Sequence, residues 1–266
     1  MNLERYQYLQ NYESEETLLR DSFIVVRIDG RGFTPFCLKH EILRPIDDRL
    51  VNLMLKCGRG VMERYKDIAV CYGQSDEFSF VLNRHATLFN RNRDKIISSI
   101  VSSFTSYFVF FWKSFFPDLE LQYPPSFDGR AVLYANFKLI RDYLSWRQAD
   151  SHINSLYNYT LCVLMRTGLD GPTATEQLNG TVSSQKHEIL NKHGIDFNLL
   201  PLNHRRGTTL LRDNNEIIET TEDMIPDEFW MKYKHVLKDS IETNQESRLK
   251  DLVKKAKQIN KVRLNV

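Results

Sequence analysis

The sequence predicts an α+β fold of the ferredoxin-like kind, a β-α-β-β-α-β core with a mainly helical C-terminal embellishment, and three observations point to it. An apolar, strand-like run from Phe23 to Ile28 passes directly into Asp29-Gly30-Arg31-Gly32-Phe33. Two further strand-like segments, Ile68 to Tyr72 and Phe78 to Leu82, are separated by Gly73-Gln74-Ser75-Asp76-Glu77, a connection short enough for a hairpin. Helical patterns follow Pro45 and occupy residues 91–116, each lying between strands. In the split βαβ arrangement the first and third strands are central neighbours and both helices lie on one face. The exit of the first strand and the turn between the second and third then meet at one end of the sheet, so Asp29 and Asp76 are expected to converge.

Taken in order, residues 1–22 read as a polar, partly helical approach with Ser14 or Thr17 as candidate caps. In the first strand Phe23, Val25, Arg27 and Asp29 share one face and Ile24, Val26 and Ile28 the other, so the apolar face can be covered while the acid stays reachable. Pro45 is expected to begin a helix whose apolar positions Ile46, Leu50, Leu53, Met54, Cys57, Val61, Met62 and Tyr65 recur every three or four residues. That helix is expected to cover the Ile24/Val26/Ile28 face. No charge interrupts Ile96 to Trp112, but the stretch is shorter than the ~20 residues of a membrane span. It carries Ser98, Ser99, Ser102, Ser103 and Ser106 and then meets Lys113, so no span is expected. The serines are expected to pack closely against a sheet while the aromatic cluster from Tyr107 to Phe116 fills the core.

The loop Tyr123 to Gly129 leads to a fourth strand around Ala131 to Tyr134. Beyond it, Asn136 to Arg166 reads as one long or two short helices, and Gly168 to Gly180 breaks the pattern. A helix around Ser183 to His193, a loop from Pro201 to Gly207, a short strand near Thr208 to Arg212 and a charged C-terminal helical region follow. The expected division is a catalytic core at 1–135 and a helical extension at 136–266.

With 266 residues and 42% hydrophobic content the chain can bury a sizeable core. Its net charge of +2 does not by itself announce a nucleic-acid binder, yet 213–228 is acid-rich and 232–266 is basic, leaving room for a local basic surface. Cys37, Cys57, Cys71 and Cys162 form no C-x-x-C pair, and no apolar leader precedes them, which argues against a zinc site and a secreted disulfide framework. Reduced thiols in the cytoplasm or nucleus, and no membrane, are the expectation.

Gly30 and Gly32 let the backbone turn sharply and bring amides close to an anion. Alone, this Asp-Gly-x-Gly is an ordinary strand-to-loop turn; its weight comes from Asp76 and Glu77. Converging carboxylates beside such a loop suit two Mg²⁺ ions roughly 4 Å apart, one activating an attacking oxygen and one neutralising a triphosphate. Hard oxygen ligands from Asp29, Asp76, the Gly30 carbonyl and, in support, Glu77 match that ion. The blander reading is a turn acid capped by its own backbone. Arg27, Lys39, Arg44, Arg91, Arg93 and Lys95 are candidate phosphate contacts, with Arg44 and Lys95 preferred; the alternative is solvated surface charge. His152 reads equally as a structural histidine on a helix.

The combination RIDGRGF, YGQSDEFSF, YPPSFDGR, DYLSWRQADSHINSLYN and QKHEIL resembles the eukaryotic tRNA-His guanylyltransferase family over about residues 4–212. The resemblance implies addition of a guanylate to the 5′ end of tRNA-His in the 3′-to-5′ direction, on a polymerase-like palm. It implies that Asp29, Gly30 and Asp76 bind Mg²⁺ with Glu77 supporting them, and that nucleotide meets Asp29, Gly30, Arg31, Gly32, Phe33, Thr34, Arg44, Ser75, Asp76 and Lys95. It implies ATP activation of the tRNA 5′-phosphate, attack by the GTP 3′-hydroxyl, and homotetramer assembly. For tRNA it suggests Arg27, His152, Asn154, Lys186, Arg205 and Arg206. Arg44-Pro45 stands where many relatives have lysine before proline, which keeps the charge and changes its geometry. Two other readings stay open: a diguanylate-cyclase-like enzyme, from the likeness of Gly73 to Phe78 to a G-G-D-E-F turn, and a non-catalytic RNA-binding protein.

Overall fold

The computed structural model describes residues 3–214 and 216–237. A 3₁₀ segment, Leu3–Tyr12, leads to β1 (Phe23–Gly30), α1 (Phe33–Lys39), α2 (Asp48–Arg64), β2 (Ile68–Gln74), β3 (Glu77–Leu82), α3 (Arg93–Phe115) and β4 (Phe127–Tyr134). The long α4 (Phe137–Arg166) follows, then α5 (Gly171–Leu178), α6 (Ser183–Lys192), α7 (Leu202–Arg206), β5 (Thr208–Asp213), β6 (Glu216–Thr220) and α8 (Asp227–Tyr233).

The strands form a six-stranded sheet in the order β4-β1-β3-β2-β5-β6, every neighbouring pair antiparallel. The central pairing of the first and third strands is as expected, with Ile28 opposite Phe78. Each face of β1 meets a different layer. Ile24, Val26 and Ile28 enter a core with Leu53, Met54, Cys57 and Val61 of α2 and with Ile96, Ile100, Phe104 and Phe108 of α3. Phe23 and Val25, also fully buried, face Ile140, Tyr143 and Leu144 of α4 and Phe229 and Trp230 of α8. The result is a sheet covered on both faces over its centre, with the second face open along β4, at Asp128, Arg130 and Val132, and half-open where Arg27 and Asp29 continue toward the strand exit.

Several expectations need correcting. The second helix starts at Asp48, because the Asp47 side chain accepts the Arg49 amide at 3.0 Å and so caps it; Pro45 lies before the cap. A short helix, α1, was not anticipated after the glycines. The α3 serines do not line the sheet: Ser98, Ser102 and Ser106 are exposed, and Ile96, Ile100, Phe104 and Phe108 make the contact. Arg93–Phe115 is long and apolar enough to cross a membrane by length and composition, yet this row of side chains is packed in the core. Thr17 pairs with Asn92 in an isolated antiparallel bridge. The fourth strand begins at Phe127, the 168–180 stretch contains α5, and 201–207 contains α7. The strand expected near Thr208 to Arg212 is β5, and with β6 it joins the same sheet as the strands of the first 135 residues. The basic C-terminal stretch beyond 237 lies outside the described residues.

Candidate active site

The β1 exit and the β2–β3 turn meet because β1 and β3 are paired in register with their Asp29 and Glu77 ends together. Ser75 takes a left-handed backbone, φ 49°, which swings the turn, and its hydroxyl donates to Asp76 Oδ1 at 2.9 Å. Gly30 has to be glycine: a Cβ there would lie 2.8 Å from Asp76 Oδ2 and 2.7 Å from the Phe33 ring. The acid of one element therefore rests against the bare backbone of the other. Gly32, at φ 61°, turns the chain into α1, whose Phe33 anchors it in the core.

A cavity of about 440 Å³ opens beside these acids. Part of its lining is an apolar wall, with Phe33, Cys37, Ile42, Ile46, Leu50 and Met54; another part is a polar wall, with Asp150, Asn154, Ser155 and Asn158 of α4 and His204 of α7. Of the sequence-predicted residues, Asp29, Phe33, Thr34, Arg44, Ser75, Asp76, Glu77 and Asn154 line it. Gly30, Arg31 and Gly32 form the loop between Asp29 and Phe33, with Arg31 and Gly32 exposed.

The acids are under strain of charge. Burial pushes the Asp76 carboxyl above its ordinary range, and the charges of Asp29 and Glu77 add to this against the Ser75 hydrogen bond. Asp29 is likewise raised, first by burial and then by Asp128, its cross-strand neighbour, against the pull of Arg27, Arg130 and Arg147. Glu77 is committed elsewhere: both its oxygens lie 3.2 Å from Arg147 Nη1, and Oε2 is 3.9 Å from Arg27 Nε. The Cys37 thiol is pushed up to about 12 by burial and by Asp76, which removes it as a nucleophile near neutral pH.

Other predicted residues stand apart from the cavity. Lys95 is exposed at the start of α3, 3.5 Å from Glu15, and lies outside the lining of this cavity. Arg27 lies 3.9 Å from Glu77 and does not line the cavity. His152 sets its ring edge-on to Phe197, as His187 does, and burial together with Arg205, His187 and Arg206 lowers its pKa. Lys186 Nζ donates to the Thr181 carbonyl and hydroxyl at 2.8 Å each. Arg205 donates to the Leu200 carbonyl, and Arg206 lies 3.8 Å from Asp223. His152, His187, Arg205 and Arg206 thus gather on the α4–α7 side, next to the cavity's polar wall.

Sequence reasoning missed Arg147 and His204. Arg147 stood in a quoted motif without a role, and its partner Glu77 is distant in sequence. His204 bridges Tyr159 at 2.8 Å and Asp48 at 2.7 Å, tying α4 and α7 to the start of α2.

Comparison with known proteins decides the relationship. Residues 6–135 match the family model described as tRNAHis guanylyltransferase, and 138–266 match its C-terminal domain. The chain belongs to the tRNAHis guanylyltransferase family. The Schizosaccharomyces pombe tRNA(His) guanylyltransferase is 47% identical over 211 residues, 79% of this chain and 80% of that protein. The Saccharomyces cerevisiae crystal structure of a guanylyltransferase of this family superposes with a TM-score of 0.75 at 39% identity, covering 80% of this chain and 94% of the other. A bacterial guanylyltransferase-like protein, solved in complex with ATP, shares the fold with a TM-score of 0.73 at 22% identity, covering 88% and 98%.

Proposed function

We propose that this protein is a nucleotidyltransferase that adds GMP to the 5′ end of tRNA-His, using ATP to activate the tRNA 5′-monophosphate and GTP as the nucleophile, on a palm-like core. The observation that carries the reading is the convergence of Asp29 and Asp76 beside Gly30 at the mouth of the cavity, in a chain of this family.

The residues present fit a divalent metal. Among the described residues no group of three or more His, Cys, Asp or Glu side chains is placed to hold one, so a cage of side chains alone is not built here. Two half-buried carboxylates with raised pKa, next to a bare glycine backbone, are instead the open, hard-oxygen site that Mg²⁺ shares with substrate phosphates. Asp29, Asp76 and the Gly30 carbonyl would hold it. When bound, a pair of such ions polarises phosphate and favours attack by oxygen. Glu77 supports the turn from the guanidinium side and is not itself a ligand.

Ser75, Thr34 and Arg44 line the cavity beside this centre and would bind and orient the nucleotide phosphates, while the apolar wall would take the flat face of a base and exclude water. Arg44 keeps the positive charge the family resemblance calls for. The RNA end approaches from the α4–α7 side, where Asn154, His152, Arg205 and Arg206 offer hydrogen bonds and charge; Lys186 adds a cation on α6, and Arg27 contributes through Glu77.

Product identity tests the reading. With 5′-monophosphorylated tRNA-His, ATP, GTP and Mg²⁺, the expected products are RNA longer by one guanylate, AMP and pyrophosphate. Without RNA, GTP stays uncyclised. Cyclic dinucleotide with RNA of unchanged mass would replace this reading by the cyclase, and no nucleotide consumption at all would replace it by an RNA-binding role.

A further inference from the structure

Arg147 is a charged side chain almost wholly out of water, 6% exposed, in the middle of α4. Its guanidinium carbon lies 3.7 Å over the Trp146 ring, which fixes the plane of the group. From there one nitrogen, Nη1, reaches in two directions. It meets both Glu77 oxygens at 3.2 Å and Asp150 Oδ2 at 3.6 Å. Arg147, Asp150 and Asn154 are three and four residues apart on one helix face, and Asp150 accepts in turn from the Asn154 amide at 3.2 Å.

This chain of contacts joins the β2–β3 turn to the polar wall of the cavity. Glu77 directly follows Asp76 in the turn, while Asp150 and Asn154 belong to the polar wall of α4. The only other cation paired with Glu77 among the described residues is Arg27, at 3.9 Å. Without a buried guanidinium, Glu77 would hold an uncompensated charge next to Asp76, whose carboxylate is already crowded by Asp29.

We infer that Arg147 is a positioning residue of the transfer reaction, acting through Glu77 to hold the Ser75–Glu77 turn, and with it Asp76, against the α4 wall. The inference rests on the reading of Asp29 and Asp76 as the metal-holding acids. Arg147 touches neither acid and sets where one of them stands.

The test compares wild type, Arg147→Met, Arg147→Lys, Glu77→Gln and the Glu77→Gln/Arg147→Met double variant. Mn²⁺ binding in the presence of GTP is followed by electron paramagnetic resonance, alongside kcat and KM for guanylate addition. Arg147→Met should weaken Mn²⁺ binding and lower kcat by about 10-fold, the lower end of the range for direct partners of metal ligands because Arg147 acts one contact further out, through Glu77, with nucleotide KM little changed. Arg147→Lys, which restores one buried cation but not the stack on Trp146, should recover part of both. In the Glu77→Gln background the further loss from Arg147→Met should shrink, because the two residues act as one unit. Equal losses in both backgrounds, or Mn²⁺ binding unchanged in a folded Arg147→Met protein, would overturn the inference. Should Arg147→Met not fold, the lysine variant decides: a folded Arg147→Lys protein with wild-type metal binding and full loss of kcat would also overturn it. Wild type that binds no Mn²⁺ would bring down the metal reading as well, so the two failures are distinguishable.

Discussion

At the scale of single residues, the site is built against stability. Asp76 and Asp29 both have raised folded pKa values, so the folded state binds more protons than the unfolded chain between the ordinary acid range and those higher values. Stability then falls as pH rises through that window, and what is lost stays lost at neutral pH. Asp76→Asn in metal-free buffer should accordingly melt at a higher temperature than wild type at pH 7, with the gap narrowing toward pH 4. The same variant should lose more than ~100-fold of its transfer activity, since an inner ligand costs at least as much as an outer partner. A variant that melts no higher at pH 7, or that stays active, contradicts this account of Asp76. Lys186 carries a different expectation. Its ammonium is tied to Thr181 but keeps hydrogens to spare, so Lys186→Ala should weaken tRNA binding more than GTP binding. The slope of log affinity against log salt should fall by about one phosphate contact. An unchanged slope in a filter-binding titration would leave Lys186 as a local brace for the start of α6.

At the scale of elements, the segment from Ile42 to Asp47 matters more than its length suggests. It supplies Ile42 and Ile46 of the apolar wall together with Arg44, and Asp47 pins it: one carboxylate oxygen accepts the Arg49 amide, the other accepts the Leu43 amide at 3.1 Å, and the Arg49 side chain donates to both. Asp47→Ala removes the cap of α2 and the clasp on Leu43 together. It should cost about 1–2 kcal/mol in denaturant unfolding, the range for a lost N-cap, and raise the nucleotide KM while leaving kcat nearer wild type. A loss of stability with KM unmoved would mean that the wall does not depend on the cap. His40 braces the next layer in a similar way. It is fully buried, its Nδ1 donates to the Phe36 carbonyl, and its Nε2 accepts the Gln122 amide, which fixes the tautomer.

At the scale of the whole molecule, one sheet serves two cores. The face carrying Ile24, Val26 and Ile28 is closed by α2 and α3, all from the first 135 residues; the face carrying Phe23, Val25, Ala69, Val70 and Val81 is closed by α4 and α8. A fragment of residues 1–135 would expose that second face and would lack β5 beside β2. It should therefore be insoluble or unfolded by circular dichroism, although it contains both site acids and matches a family model of its own. A fragment that folds and binds nucleotide would make the extension an accessory to folding and not part of the same unit. The smaller clusters formed by α4 with α5 and α6, around Phe197 and Leu178, explain how the extension keeps its own order away from the sheet.

The sequence by itself determined the strand-and-helix order, the central place of β1 and β3, and the meeting of Asp29 with Asp76. These follow from local alternation, turn chemistry and the handful of topologies such an order permits. It also carried the family, through motifs whose spacing survives without any knowledge of contacts. Only the tertiary structure decided which groups the acids meet. Glu77 reads in sequence as a third acid beside Asp76, but strand alternation and the arrival of α4 turn it to Arg147, a partner far along the chain. Lys95 reads as a phosphate contact by charge and by family resemblance, and the ion pair it makes with Glu15 is visible only once α3 is placed. The helix serines read as a packing stripe because periodicity gives a face without saying which way it looks. Side-chain type and spacing are local properties, whereas a partner, a burial or a direction depends on what another element brings, and that is settled only when the layers close on the sheet.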